Sequence, residues 1–84
     1  MKNKIKRLEG YSYKYTLDYL SNKLNNYIDE KGYKDWRVLI IEDGLKLKNK
    51  STSQYATWNF YDCDEDCEVI QNKIKKFLDW NNQH

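Results

Sequence analysis

Residues 36–50 read WRVLIIEDGLKLKNK. A β-branched, apolar run leads into Asp43-Gly44, and an alternating Leu/Lys run follows. Asp-Gly between two such runs predicts a two-residue hairpin turn of type I′, whose central residues both need positive φ. With Asp43 and Gly44 in the turn, Glu42 pairs with Leu45, Ile41 with Lys46, Ile40 with Leu47 and Leu39 with Lys48. Strand alternation then places Val38, Ile40 and Leu47 on one face. Arg37, Leu39, Ile41, Lys46 and Lys48 share the other.

Outward from the hairpin, residues 49–53 (NKSTS) form a polar turn, and residues 54–61 (QYATWNFY) read as a third strand. Ala56, Trp58 and Phe60 alternate onto one face, with Tyr55, Thr57, Asn59 and Tyr61 on the other. Upstream, Leu17, Leu20, Leu24, Tyr27 and Ile28 make one stripe of a 3.6-residue period, predicting a helix over 16–31. Thr16 is its expected N-cap and Gly32 its stop. Downstream, Val69, Ile70, Ile74, Phe77 and Leu78 give the apolar stripe of a second helix, from about 65 to 81. Tyr11, Tyr13 and Tyr15 alternate with Ser12 and Lys14, which is strand-like.

The expected fold is α+β, in the order α-β-β-β-α. A three-stranded antiparallel meander carries two helices packed on one face, with an additional N-terminal strand as an open alternative. The expected core is Leu20, Leu24, Ile28, Val38, Ile40, Leu47, Trp58, Phe60, Ile70, Ile74 and Phe77. Eighty-four residues allow one domain, 1–84, in which 1–10 reads as a basic, partly mobile tail. The second sheet face is covered by the tyrosine-bearing N-terminal segment, or else it is left open to bind.

Residues 61–70, YDCDEDCEVI, hold two cysteines and five acids. A structural zinc site needs four Cys/His ligands, and the chain offers one Cys pair and a single, terminal His84. An EF-hand loop counted from Asp62 would need Gly where Cys67 stands and Glu where Lys73 stands. The plain reading is a helix start, with Asp62 and Glu65 at capping-box spacing and negative charge at the positive helix end. Asp62, Asp64, Glu65, Asp66 and Glu68 nevertheless exceed what a cap requires, so they form one candidate partner-binding set. Arg37, Lys46, Lys48, Tyr55 and Tyr61, on the second sheet face, form the other.

The α-β-β-β-α order resembles that of double-stranded RNA-binding domains, a likeness of topology alone. Those domains carry lysines at the start of the second helix, where this chain has DCDEDCE.

No internal His stands ready as a base, and the three glycines, 10, 32 and 44, make no phosphate-binding loop. The chain is therefore read as non-enzymatic, without metal or cofactor. Residues 1–50 carry 12 basic and 7 acidic side chains, and 51–84 carry 3 and 6, so a net charge of +2 hides balances of +5 and −3. Such two-sidedness steers partners. The longest aliphatic run, Val38 to Ile41, is far short of the roughly 20 residues of a membrane span. Two cysteines with no secretion signal suggest reduced thiols and a cytoplasmic protein.

The expectation is a macromolecular binding protein. In its narrower form it is an inhibitor encoded by a phage or mobile element. It would occupy the working surface of a host protein, such as a nucleic-acid-processing enzyme, as anti-CRISPR proteins do. The alternatives are a nucleic-acid-binding protein using the basic N-terminal half and the Lys/Tyr sheet face, and a homo-oligomeric regulatory subunit, for example a homodimer.

Overall fold

A computed structural model describes residues 3–59 and 65–83. The elements are β1 (Asn3–Lys4), α1 (Tyr13–Lys31), β2 (Trp36–Ile41), β3 (Gly44–Asn49), β4 (Tyr55–Asn59) and α2 (Cys67–Gln83). The sheet order is β1-β4-β3-β2. Strands β2, β3 and β4 form the expected antiparallel meander, and both helices pack on one of its faces. The additional strand, β1, lies parallel to β4.

That strand is not the tyrosine alternation. Residues 11–15 run into α1, which starts three residues earlier than expected. Ser12 is the N-cap, its Oγ accepting from the Tyr15 N–H at 3.1 Å. Tyr11, just before the cap, stacks its ring on that of Tyr15 in the first turn at 4.5 Å. Thr16 is not the cap; it is buried, its Oγ1 donating to the Ser12 carbonyl and accepting from the Leu8 N–H. Gly32 ends the helix with φ 75°, its N–H bonded to the Ile28 and Asp29 carbonyls. Of the segment read as a basic tail, Asn3 and Lys4 pair with β4, and Ile5 is buried and donates its N–H to the Asn59 carbonyl.

The hairpin differs by two residues along β3. Ile41 pairs with Gly44, Ile40 with Leu45, Leu39 with Lys46 and Val38 with Leu47, so Glu42 and Asp43 are the turn. Among the described non-glycine residues only Ser53 has positive φ, and Gly44 does not have it either, so the turn is not type I′. Gly44 serves a different purpose: a Cβ there would lie 1.8 Å from the Trp58 carbonyl oxygen of β4. A two-residue offset leaves every side chain on its expected face, whereas an offset of one would have reversed them all.

The core joins Leu17, Leu20, Leu24 and Ile28 of α1 to Trp36, Val38, Leu45, Leu47 and Trp58 of the sheet and Ile70, Ile74 and Leu78 of α2. Trp36 meets Phe77 edge to face at 5.6 Å. Ile40, expected inside, is 47% exposed, because it sits on the edge strand in a shallow groove beside Tyr13 and Leu17. Val69, on the margin of the α2 stripe, is also exposed. Phe60 lies outside the described residues. Helix α2 starts at Cys67, so Glu65 precedes the helix and is not the third residue of a capping box. No described helix is long and apolar enough to cross a membrane.

Candidate binding face

With Tyr13 and Tyr15 in α1 and Tyr11 stacked beside its start, no described element packs over the second face of the sheet. The register arranges that face as three cross-strand rows. Arg37, Lys48 and Tyr55 form the first, Leu39, Lys46 and Thr57 the second, and Ile41, Gly44 and Asn59 the third. The first two rows are the open part: Tyr55 is 64% exposed and Leu39 47%, whereas in the third Asn59 and Gly44 are buried and Ile41 half-buried.

The first two rows concentrate positive charge. Arg37 stands directly opposite Lys48, and like charges in that position destabilise a sheet unless something neutralises them. Arg37 is held by Asp29 of α1 at 2.8 Å, which ties this margin of the face to the helix layer. Neither Lys46 nor Lys48 has a carboxylate at ion-pair distance among the described residues. The Lys46 ammonium lies 4.6 Å from the centre of the Tyr55 ring, a diagonal cation–π contact. Of the second candidate set, then, Arg37, Lys46, Lys48 and Tyr55 are brought together; Tyr61 lies outside the described residues.

The acidic set is placed differently. Glu65 pairs with Lys73 of α2, leaving its Oε2 buried without a hydrogen bond. Asp66 lies 3.7 Å from Lys6. Glu68 is exposed in the first turn of α2. Asp66 and Glu68 line a groove with Lys6, Arg7 and Tyr13, a site that shares no residue with the basic sheet face. Asp62, Asp64 and Cys63 lie outside the described residues. Cys67 is buried, its thiol donating to the Lys6 carbonyl at 3.1 Å, which anchors the start of α2 to the N-terminal segment.

Two polar arrangements were not legible in the sequence. Asn25 of α1 pairs through its amide with both backbone groups of Val38 on the edge strand. Tyr27 and Tyr33 both donate to Asp79 of α2, Tyr27 at 2.6 Å and Tyr33 at 3.0 Å. Burial, then the hydrogen bond to Asp79 and its charge, push Tyr27 up to about 12. Tyr33 is raised by the same causes in the same order. Two phenols on one carboxylate clamp α1 and the segment just after it to α2, where Lys75 also lies over the Tyr27 ring. Spacing alone cannot reveal this, since the partners are 52 and 46 residues apart.

Comparison with protein-family models, with curated proteins and with solved structures finds no match for this chain.

Proposed function

We propose that this chain is a non-enzymatic binding protein that acts by occupying the surface of another macromolecule, and that the open sheet face is the surface it uses. One observation carries the reading: Arg37, Lys46, Lys48, Leu39 and Tyr55 share a face over which no described element packs. Tyrosine and arginine side by side are the composition of interface hot spots. Lys48 opposite Arg37, with Lys46 beside them, and neither lysine ion-paired among the described residues, favours an anionic partner surface.

The narrower reading is a phage- or mobile-element inhibitor that covers the working surface of a host protein. Its support is the small size of the domain, the excess of aromatics and the acidic stretch. Glu65 and Asp66 are engaged with Lys73 and Lys6, so among the described acids of that stretch Glu68 is the one without an ion pair.

The test is affinity capture from a bacterial lysate with the tagged chain and two variants. Lys48→Glu combined with Tyr55→Ala should lose the co-purifying macromolecule, while Glu68→Lys should keep it. Capture that survives the first variant and fails with the second would move the working surface to the acidic groove.

A further inference from the structure

Accepting the sheet face as the working surface, the layout of that face points further, to the chemistry of the partner. Leu39 and Ile41 lie at alternate positions of β2, and Lys46 and Lys48 lie at alternate positions of β3. Along a strand, alternate residues are roughly 6.7 Å apart, and neighbouring strands are about 4.8 Å apart. The face therefore presents an aliphatic ridge, exposed at Leu39 and half-buried at Ile41, beside a cationic ridge, with Arg37 and Tyr55 closing one end.

A phosphate backbone would satisfy the lysines and leave the aliphatic ridge wet. A purely apolar segment would bury Leu39 and Ile41 and strand two ammonium groups. A partner matching both ridges carries an apolar stripe flanked on one side by carboxylates. In an α-helix, side chains four residues apart recur every 6 Å or so along one face, close to the roughly 6.7 Å between the two residues of each ridge.

We infer that the open face of β2–β4 takes an acidic amphipathic helix of a protein partner, its aliphatic stripe on Leu39 and Ile41 and its carboxylates on Lys46, Lys48 and Arg37. The charge order along the face supports this occupant. The cationic corner gives way to the acidic turn Glu42–Asp43 at the other end, so the helix is held in one direction, with its carboxylates away from that turn.

The experiment titrates the full chain, with amide resonances assigned, against three probes. The first is a helical peptide with a leucine stripe flanked by glutamates. The second is the same composition scrambled to break the stripe, and the third is oligothymidylate. The amphipathic peptide should shift Arg37, Leu39, Lys46, Lys48 and Tyr55. The scrambled peptide should bind about tenfold more weakly, the loss expected when one leucine side chain is no longer buried. Lys46→Glu, which breaks no ion pair among the described residues, should abolish the shifts while the rest of the spectrum is retained.

Equal binding of the two peptides, tighter binding of oligothymidylate at the same residues, or shifts confined elsewhere would each overturn the inference. If none of the probes binds but the face variants still lose a captured macromolecule, the inference fails and the broader binding function stands. If the face variants lose nothing from the lysate, the broader function fails.

Discussion

The side-chain amide of Asn25 pairs with both backbone groups of Val38: Nδ2 donates to the carbonyl at 3.1 Å and Oδ1 accepts from the N–H at 2.9 Å. Val38 lies on β2, the outer strand of the sheet, where an unpaired N–H and C=O would invite another chain. One residue of α1 thus stands in for a neighbouring strand. Asn25→Ala should cost about 1–3 kcal/mol in urea unfolding, because both groups lose their partner. It should also raise the tendency to self-associate, read by sedimentation at increasing concentration. Asn25→Asp keeps the acceptor and loses the donor, so it should fall between the two.

The tyrosine clamp predicts loss of stability at high pH. Tyrosine in the unfolded chain titrates near 10, and in the folded protein Tyr27 is pushed up to about 12. Between those values the unfolded state releases its proton first, so stability falls as pH rises. The contribution is fully present below about pH 10 and lost as pH climbs toward about 12. The raised Tyr33 acts in the same direction. Tyr27→Phe should lower stability at neutral pH by about 1–2 kcal/mol and flatten the alkaline decline. Urea midpoints for both proteins from neutral to strongly alkaline pH measure this, and their difference removes the lysine titration common to both.

Two glycines should respond very differently to alanine. At Gly44 the new Cβ meets backbone at 1.8 Å, with no flexible side chain to yield. Gly44→Ala should cost about 3 kcal/mol or more, by forcing β3 and β4 apart. At Gly32 nothing lies within 4 Å, and only the left-handed φ of 75° opposes a side chain. Gly32→Ala should cost about 1 kcal/mol. Thermal unfolding of the two variants gives the comparison.

Gly44 also marks where the sequence misleads. Asp-Gly between two strand-like runs signals a hairpin, and the hairpin is present, but the glycine is there for the approach of β4 and not for the turn. A close approach from a third strand leaves no trace in the two strands it follows. The faces remained legible because alternation survives a two-residue offset. The helix stripes were legible for the same periodic reason, with Leu20, Leu24, Ile28, Ile70 and Ile74 all buried. The tyrosines at 11, 13 and 15 showed strand-like alternation, and the cap at Ser12 overrode it. Leu45 and Trp36 were absent from the expected core because the assumed register and the strand boundary put them at its margin. Arg37, Lys46, Lys48 and Tyr55 were placed together by alternation alone. The Asn25 and Asp79 contacts depend on how the helices sit on the sheet, which no local pattern encodes.

The ion pairs of the acidic stretch give a further expectation. Glu65 precedes α2 and reaches Lys73 within it, so Glu65→Gln should loosen the start of that helix. The loss should be modest, within about 1 kcal/mol, because the pair is only partly buried. Glu68→Gln has no described ion pair to break and loses only its charge at the positive end of α2, so its cost should be smaller, roughly a few tenths of a kcal/mol. Chemical denaturation at low salt gives the comparison, and both effects should shrink as salt screens the charges.

The most direct measurement is lysine acylation of the chain, free and bound to the macromolecule it captures. A partner seated on the open sheet face predicts that Lys46 and Lys48 lose reactivity in the complex while Lys23 and Lys76, on the outer surfaces of α1 and α2, keep theirs. Unchanged reactivity at Lys46 and Lys48, with protection confined to the helices, would contradict it.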